Sequence, residues 1–458
     1  MAFRVAIAGS VDAVSAALSR SRDWLPADAT LDGVVLIGEG GEGLPALSRA
    51  PRWDAIDFSV LLVNRVILAD TLPLHIARNL LARAAAAGVA LFCLETDGVR
   101  PLALNDVIGA PTPSGVESCA QELAGKRVLI TGGGGSIGGA IARRIAQLGP
   151  AHLALLDSSE LNLFNASHAL PDAEIILADV RDEAAVQRHF ERIRPDIVFH
   201  AAALKQVPLV EMFPGEGVRT NVCGIRNVAD AAHELGADLI FLSTDKAADP
   251  SGVMGASKRL GELYCQALDR LGGSRAIPVR LGNVLGSAGS VAPLFEAQLA
   301  SGGPLTVTDA DVTRYFVSIP QAADALLRAA AAGRATRGQR GAALVIDMGE
   351  ARSIVDLART MIELSGQRPD IDVPIVFIGL RPGEKLHERL FGADEHVEPD
   401  LARGVVAATS APRDIEELNR AIDRLTLLAR DGDDEAVKQA LFAAVAIAPN
   451  ARETQSVG

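Results

Sequence analysis

The sequence has no excess of basic residues. It contains 44 Lys and Arg against 57 Asp and Glu, which gives a formal net charge of -13. Proteins that bind nucleic acid or anionic membranes present clustered positive charge to the phosphates. The composition therefore argues against both classes of protein, although it is compatible with a local basic pocket for phosphate groups.

Cysteine is also scarce. The four cysteines, Cys93, Cys119, Cys223 and Cys265, form no CxxC pair and have no Cys/His spacing typical of a metal site. We therefore expect buried or unreactive thiols in a reducing compartment, and no bound metal.

Long hydrophobic runs are missing as well. The first residues, MAFRVAIAGSVDAV, lack the basic region, long apolar run and cleavage site of a secretory signal. The most apolar stretch, LLARAAAAGVALFCLE, is interrupted by Arg83 and is too short to cross a bilayer. We predict a cytoplasmic protein without a membrane span.

Short apolar runs alternate with helical patterns in two successive series. The 458 residues exceed what one hydrophobic core usually serves, so two or three domains are expected. Residues 1–112 predict a Rossmann-like βα domain. Its first turn, AGSVDAV, has a single Gly and an incomplete phosphate cradle, which favours a non-catalytic regulatory or assembly role. The segment GAPTPSG, residues 109–115, is a plausible linker.

The second series predicts a doubly wound α/β fold over residues 113–283. Its strands are nearly continuous apolar runs, as in a parallel sheet covered on both faces, so a ligand should bind at their carboxyl ends. Residues 284–400 are expected to form a smaller substrate-binding portion, and residues 401–458 a helical tail.

A glycine-rich turn opens this second series. The stretch TGGGGSIG places Gly132, Gly135 and Gly138 between a strand and a helix, where a pyrophosphate can approach the backbone at the positive end of the helix. Asp157 ends the next strand; it can accept hydrogen bonds from an adenosine ribose and would repel a 2′-phosphate. We therefore predict NAD as the cofactor, although a merely solvated carboxylate is the alternative interpretation. Asp179 ends the following strand, where it could meet the adenine.

The next two strand ends also carry polar side chains. Lys205 is either a solvated lysine or a contact for phosphate and substrate. Thr244, Asp245 and Lys246 come together at the end of the fifth strand, where a surface charge pair would be the ordinary interpretation. Short-chain dehydrogenases place a catalytic Tyr four residues before a Lys on one helix face. Here that pair is Met254 and Lys258, and a thioether cannot donate or accept the required proton.

Eight motifs in order give the sequence a specific resemblance, from about Leu123 to about Phe391. They are TGGGGSIG, HAAALKQVPLVE, STDKA, VMGASKRLGELYCQAL, RLGNVLGSAGSVAPLF, VTRYF, DMGE and LRPGEKLHE. The sequence resembles bacterial polysaccharide-biosynthesis nucleotide-sugar dehydratases of the extended short-chain dehydrogenase superfamily, in particular UDP-N-acetylglucosamine 4,6-dehydratases. The large members of that family are similar in having Met in place of Tyr. The sequence departs from them in three features. It lacks the membrane helices that usually come first, it has Gln206 where His is common, and it has AADPSG at residues 247–252 where AVNPTN is more usual.

The resemblance implies a reaction and a role for individual residues. The hydroxyl at carbon 4 is oxidised, a base removes the proton at carbon 5, an acid assists departure of the hydroxyl at carbon 6, and hydride returns to carbon 6. Asp245 is then the acid and Lys246 the base, Thr244 orders the sugar, and Met254 fills space. Lys258 holds the nicotinamide ribose, while the acceptor of the first proton is Lys258, Asp245 or a water molecule.

The binding residues follow from the same comparison. The expected substrate ligands are Lys205, Lys246, Asn283, Arg314 and Arg381, which include two forks for a diphosphate, and Glu384 for the uridine ribose. The expected cofactor-binding residues are Gly132, Gly135, Ser136, Ile137, Gly138, Asp157, Ser158, Asn162, Asp179, Val180, Ala201, Ala202, Lys205, Asn221 and Lys258.

The expected protein is a homo-oligomer that acts on a UDP-sugar. Two alternatives stay open at this point. One is a 4-epimerase or a dehydratase that inverts carbon 5, built on the same scaffold. The other is a non-catalytic NAD-binding assembly or regulatory protein, as Met254 and the weak first turn indicate.

Overall fold

A computed structural model describes residues 3–25, 29–38, 44, 46–95, 98–108, 119, 122–336, 340–402 and 404–446. The chain forms two compact units that are interleaved in sequence. The smaller unit comprises Met1–Gly109, Val291–Val312 and Arg352–Gly379, and the larger unit comprises Ala110–Ser290, Thr313–Ala351 and Leu380–Gly458. The predicted linker at 109–115 lies outside the described residues, and the predicted domain boundaries stay predictions.

The amino-terminal part of the smaller unit is a six-stranded sheet in the order β3-β2-β1-β4-β5-β6. The first five strands of this order are parallel, and β6 is antiparallel to β5. The strands are β1 Phe3–Ser10, β2 Ala29–Ile37, β3 Ala46–Ala50, β4 Arg65–Leu68, β5 Ala90–Glu95 and β6 Gly98–Pro101. The helices are α1 Val11–Ser19, α2 Ser21–Trp24, α3 Leu74–Ala86 and α4 Leu104–Ile108.

The first turn of this sheet is closed by a carboxylate of the chain. The Asp70 side chain accepts hydrogen bonds from the backbone N–H of Ser10 at 2.6 Å and from its hydroxyl at 2.9 Å. Ser10 caps helix α1, so Asp70 lies where a phosphate would meet the helix start. An anion at this turn would meet a negative charge and would have to displace it.

Two later segments complete the smaller unit. Their elements are α12 Val291–Ala300, β14 Leu305–Val307, β18 Arg352–Ser353, α14 Ile354–Leu364 and β19 Ile375–Phe377. Strands β14 and β19 pair in parallel, and α14 packs against α3 and α4. Leu364 contacts the apolar core of the amino-terminal sheet, and Arg78 pairs with Asp356 at 2.9 Å.

The larger unit contains a nine-stranded sheet in the order β20-β21-β17-β12-β11-β10-β7-β8-β9. The seven strands from β17 to β9 in this order are parallel, whereas β20 and β21 are antiparallel additions at the other edge. The strands are β7 Arg127–Thr131, β8 His152–Asp157, β9 Glu174–Leu177, β10 Ile197–His200, β11 Asp238–Thr244, β12 Ala276–Leu281, β17 Ala342–Ile346, β20 His396–Ala402 and β21 Val405–Thr409. The strand order reverses between β7 and β10, which is where ligands bind in such sheets.

Helices cover both faces of this sheet, so the predicted doubly wound fold is confirmed. The helices are α5 Ser136–Ala146, α6 Glu160–Ala169, α7 Glu183–Ile193, α8 Val207–Met212, α9 Pro214–Val218, α10 Gly224–Glu234, α11 Val253–Leu271, α13 Ile319–Ala335, α15 Ile415–Asp431 and α16 Asp434–Ala446. Three short strands complete the unit: β13 Asn283–Leu285, β15 Thr313–Arg314 and β16 Phe316–Ser318. Helices α5 and α13 share one apolar core, and α7, α10 and α11 share the other. Among the described residues, no helix is both long and apolar enough to cross a membrane.

The carboxyl-terminal tail belongs to the second of these cores. The sequence predicts a helical tail from residue 401, but Val405–Thr409 form strand β21 of the larger sheet. The two helices expected after about residue 410 are α15 and α16, which pack against each other and against α11. The apolar side chains of Ile422, Leu425 and Leu441 are buried in this core. The predicted frayed end from Pro449 lies outside the described residues.

We expect Leu441→Ala to lower the free energy of unfolding of the larger unit by about 2–5 kcal/mol, because the residue is fully buried and its truncation removes apolar contacts and leaves a cavity. Urea denaturation of the full chain, followed by far-UV circular dichroism, measures the change. Leu427→Ala is the matched control, since Leu427 is 60% exposed on the neighbouring helix and should change stability by less than about 0.5 kcal/mol. Equal effects of the two substitutions would contradict this packing.

Candidate active site

The turn between β7 and α5 admits only glycine at two positions. Gly132 has a φ of +67°, and a Cβ on it would lie 2.6 Å from the nitrogen of Ala202 and 2.7 Å from the carbonyl carbon of Ala201. A Cβ on Gly138 would lie 2.1 Å from the oxygen of Gly132. The end of β10 therefore presses directly on the glycine turn, and backbone rather than side chain faces any ligand there.

Helix α5 begins at this turn without a side-chain cap. Gly135 is its N-cap residue and forms no capping hydrogen bond, and the helix continues through Ser136 and Ile137. The Ser136 hydroxyl accepts the backbone N–H of Ala288 at 3.1 Å. Uncapped amides at a helix start suit a phosphate, so the predicted residues form a coherent anion cradle.

Asp157 lies at the end of β8 beside this cradle. Its two carboxylate oxygens accept the backbone N–H of Gly134 at 3.1 Å and of Ser159 at 2.9 Å. Asn162 packs closely against the turn, since a Cβ on Gly134 would lie 2.7 Å from the Asn162 Cβ. Asp157 is half-buried and Ser158 is exposed. The carboxylate is therefore held in place, with its remaining lone pairs available to a ribose.

Asp179 lies at the end of the next strand, β9, and is paired. Its carboxylate accepts hydrogen bonds from Arg181 at 2.7 and 2.9 Å, and Arg181 also reaches Glu216 at 2.9 Å. Burial raises the pKa of Asp179, but the hydrogen bonds from Arg181 outweigh it, and the net pKa is lowered. Val180 is buried, and its carbonyl accepts Asn227 at 3.0 Å. Sequence reasoning missed Arg181, a cation near the predicted adenosine end whose charge is balanced by two carboxylates.

The loop after β10 carries Lys205 and is braced by Asn221. Lys205 donates to the Ser287 hydroxyl at 3.1 Å, and burial lowers its pKa. Asn221 is almost fully buried; it accepts the N–H of Leu204 and donates to the Leu204 carbonyl and the Ser257 hydroxyl at 2.8–3.0 Å. The amide of Asn221 thus ties the Lys205 loop to helix α11.

The three polar residues at the end of β11 form one hydrogen-bonded group. Asp245 is fully buried, and its Oδ1 accepts Thr244 Oγ1 and Lys246 Nζ, both at 2.9 Å. Lys246 Nζ also donates to Asn283 Oδ1 at 3.0 Å and lies 3.5 Å from Glu388 Oε1. The structure therefore brings together four predicted site residues. It adds Glu388, which sequence reasoning missed although it ends the motif LRPGEKLHE.

Met254 and Lys258 lie on the buried face of helix α11, 4% and 6% exposed. Met254 belongs to the apolar core, and Lys258 Nζ lies 4.1 Å from the centre of the Phe241 ring. Burial lowers the pKa of Lys258 to about 7, although the Glu262 carboxylate opposes the shift. The amine is therefore partly neutral near pH 7 and can accept a proton.

A buried network of two arginines and two glutamates supports this region. Glu262 accepts the Ser243 hydroxyl at 2.6 Å and Arg280 at 2.7 and 2.8 Å. Arg280 reaches Glu395 at 2.6 and 2.7 Å, and Arg259 contacts both glutamates. Burial raises the pKa of Glu395, but the hydrogen bonds and charges of Arg280 and Arg259 together lower it to about 2. The charges are mutually neutralised, so none is free to react.

The two arginines predicted to bind a diphosphate have different surroundings. Arg314 is 7% exposed, and its guanidinium donates to the carbonyls of Thr313, Lys385 and Leu386 at 2.7–3.0 Å. Arg381 is about half-exposed and pairs with Glu384 at 2.9 Å. In this structure Arg314 holds the segment before Glu388 in place, whereas Arg381 forms a solvent-accessible ion pair with Glu384. Their roles toward a diphosphate stay predictions.

Comparison with known proteins places these motifs in a family. A family described as polysaccharide biosynthesis protein matches residues 128–409, more than half of the chain. Capsular polysaccharide biosynthesis protein CapD of Staphylococcus aureus is 39% identical over 312 residues, which are 66% of this chain and 51% of that protein. A UDP-glucose 4-epimerase of Rickettsia akari is 34% identical over 310 residues, 65% of this chain and 85% of that protein.

A solved structure is also similar to this chain in its fold. The dTDP-glucose 4,6-dehydratase DesIV of Streptomyces venezuelae, a double mutant with NAD and DAU bound, is 25% identical and matches with a TM-score of 0.50. The match covers 58% of this chain and 88% of DesIV. The chain spans about half the length of CapD, so similarity to that relative concerns only part of it. The extent of the family match shows that this chain belongs to the polysaccharide biosynthesis protein family.

Proposed function

We propose that the chain catalyses the NAD-dependent 4,6-dehydration of a UDP-N-acetylhexosamine, UDP-N-acetylglucosamine first among them. The product is a 4-keto-6-deoxy sugar for a surface polysaccharide or glycan. The observation that carries this proposal is the hydrogen-bonded Asp245–Lys246 pair at the end of β11, in which Asp245 is fully buried. An elimination at carbons 5 and 6 needs one acid and one base in contact with the sugar, and this pair supplies both. A cytoplasmic, homo-oligomeric enzyme stays the expectation from the sequence.

The cofactor in this proposal is NAD, as in the DesIV structure. The glycine turn fits it, because a Cβ at Gly132 or Gly138 would clash with the backbone of Ala201, Ala202 or Gly132, so the tight turn that exposes backbone to a pyrophosphate requires glycine. Asp157 would hold the adenosine ribose, and Lys258 the nicotinamide ribose. When bound, NAD would take hydride from carbon 4 and return it to carbon 6.

Lys258 is the best-placed acceptor for the proton of the hydroxyl at carbon 4. A tyrosine is missing at position 254, and Met254 is apolar and buried. Lys258 lies against an aromatic ring rather than a carboxylate, and its lowered pKa of about 7 leaves part of the amine neutral. Among the three candidates that the sequence left open, this geometry favours Lys258.

The Asp245–Lys246 pair reaches its reactive form by an internal proton transfer. As an ion pair, Lys246 carries the proton that Asp245 needs as an acid. Transfer along the 2.9 Å hydrogen bond gives a neutral amine and a protonated carboxyl. Lys246 then takes the proton from carbon 5, and Asp245 gives its proton to the hydroxyl at carbon 6, which leaves as water. Thr244 and Asn283 hold the two reacting groups in place.

A 4-epimerase is the second candidate, because a UDP-glucose 4-epimerase is among the relatives. That reaction also begins with oxidation at carbon 4, but it requires no acid and base at carbons 5 and 6. The Asp245–Lys246 pair would then have no chemical role. The pair therefore favours dehydration over epimerisation.

Incubation of the chain with UDP-N-acetylglucosamine and NAD is expected to yield a 4-keto-6-deoxy product without net accumulation of NADH. NMR of the product and absorbance at the NADH band measure these two outcomes. An oxygen retained at carbon 6 would indicate an epimerase, and an inverted carbon 5 the other class of dehydratase. Steady NADH formation would indicate a dehydrogenase. NAD binding without turnover of any UDP- or dTDP-sugar would indicate a non-catalytic protein.

Asp245→Asn and Lys246→Ala should each lower turnover by about 10² to 10⁴, the usual contribution of a positioned acid or base. Met254→Leu is the matched control, because it keeps apolarity and nearly the same volume and should lose little activity. Since oxidation precedes elimination, the two site variants should still form a transient NADH signal in single-turnover absorbance. A Met254→Leu variant as impaired as Lys246→Ala would contradict these roles.

NADP should bind at least about tenfold more weakly than NAD, since its 2′-phosphate would lie beside the Asp157 carboxylate. Titration of the chain with each dinucleotide, followed by calorimetry, measures the ratio. Asp157→Asn removes the carboxylate charge and should therefore reduce the difference in affinity between NAD and NADP. Equal or tighter binding of NADP by the unmodified chain would refute the assignment.

A further inference from the structure

Glu388 is a buried carboxylate in direct reach of Lys246. Its side chain is 2% exposed, and Oε1 lies 3.5 Å from Lys246 Nζ. Oε2 is also buried and has no hydrogen-bond partner among the residues that the structure describes. Isolated carboxylates are rarely buried without a function or a counter-charge, because desolvation of the charge is costly.

Three cations surround this carboxylate. Lys246 is the nearest, while Arg314 Nε and Lys385 Nζ each lie 3.9 Å away. Arg314 and Lys385 have closer partners among backbone carbonyls. Lys246 in turn faces two carboxylates, Asp245 and Glu388, and the neutral amide oxygen of Asn283. The negative charge of Glu388 is therefore felt most strongly at Lys246.

The proposed dehydration leaves the Asp245–Lys246 pair one proton short. The proton of Asp245 departs with the water, and Lys246 returns its newly acquired proton to carbon 5 when the hydride adds to carbon 6. The proton of the hydroxyl at carbon 4 remains on Lys258. Before the next turnover, the pair must regain one proton from the solvent, and Lys246 is the member of the pair with some exposure, 19% of its side chain.

We propose that Glu388 is an additional positioning residue of this site. Its carboxylate favours re-protonation of Lys246 after each turnover. A negative charge within 4 Å favours the cationic form of an amine. Glu388 transfers no proton in the proposed steps and acts through Lys246. The inference rests on the proposed function for its place in the catalytic cycle, but the charge effect on Lys246 does not require a substrate.

The test compares the reactivity of Lys246 in the full chain and in the Glu388→Gln variant. Cyanate carbamylates only neutral amines, and peptide mass spectrometry reports the extent at Lys246 as a function of pH. Lys126, at the opposite end of the sheet before β7, serves as the internal reference in each sample. Without the Glu388 charge, Arg314 and Lys385 also repel the ammonium, so the labelling midpoint of Lys246 should fall by about one to three pH units.

Two further variants separate a charge effect from a change in folding. Asp394→Asn removes a carboxylate six residues later that is 70% exposed, and should leave the midpoint unchanged. Lys385→Met removes a cation beside Glu388, so it should move the midpoint of Lys246 upward. The upward shift in Lys385→Met, opposite to the fall expected for Glu388→Gln, tests the proposal even if circular dichroism shows that Glu388→Gln does not fold. An unchanged midpoint in folded Glu388→Gln, or in Lys385→Met if the first variant is unfolded, would overturn the proposal.

Turnover gives an independent measurement. In Glu388→Gln the loss of activity at high pH should begin about one to three pH units lower than in the unmodified chain, while activity at low pH is retained. A uniform loss at every pH would show a purely structural role and would overturn the proposal. If the unmodified chain dehydrates no nucleotide sugar, the proposed function fails, whereas the labelling result still decides whether Glu388 controls the charge of Lys246.

Discussion

The candidate site depends on the buried pair between Glu262 and Arg280. Glu262 comes from helix α11, which carries Lys258, and Arg280 from strand β12, next to the strand that ends in Asp245 and Lys246. Both side chains are fully buried, so loss of either partner would leave an uncompensated charge. Glu262 also accepts the Ser243 hydroxyl. The pair, together with Ser243, thereby links helix α11 to strands β11 and β12 beside the candidate site.

Two lysines of this site are placed in contrasting surroundings. Lys258 lies among apolar side chains and against the face of Phe241, where burial lowers its pKa to about 7. Lys246 lies between the carboxylates of Asp245, at 2.9 Å, and Glu388, at 3.5 Å. In the proposed reaction, Lys258 would accept the proton of the hydroxyl at carbon 4 and Lys246 the proton of carbon 5, so one residue type would serve two steps in different environments.

The sequence predicted what depends on strand order and missed what depends on tertiary contacts. Parallel apolar strands bring their carboxyl ends to one edge, so Gly132, Asp157 and Asp245 could be assigned to it. Glu388 could not, because it approaches Lys246 from a segment more than a hundred residues away with little regular structure. The sequence could not predict the burial of Arg314 against backbone carbonyls for the same reason. Likewise, helix α14 follows the larger sheet in sequence, and only its packing on α3 assigns it to the smaller unit.

The two first turns of the chain show why one sheet is suited to a dinucleotide and the other is not. After β7, successive glycines leave the start of α5 uncapped and facing the ligand edge. After β1, Ser10 caps α1, and Asp70 bonds both its backbone and its hydroxyl. The positive end of a helix dipole attracts an anion. In the smaller unit the Asp70 carboxylate already occupies that position. The same strand-turn-helix topology therefore leaves the helix start open to an anion in the larger unit, whereas Ser10 and Asp70 occupy it in the smaller unit, whose regulatory or assembly role stays a prediction.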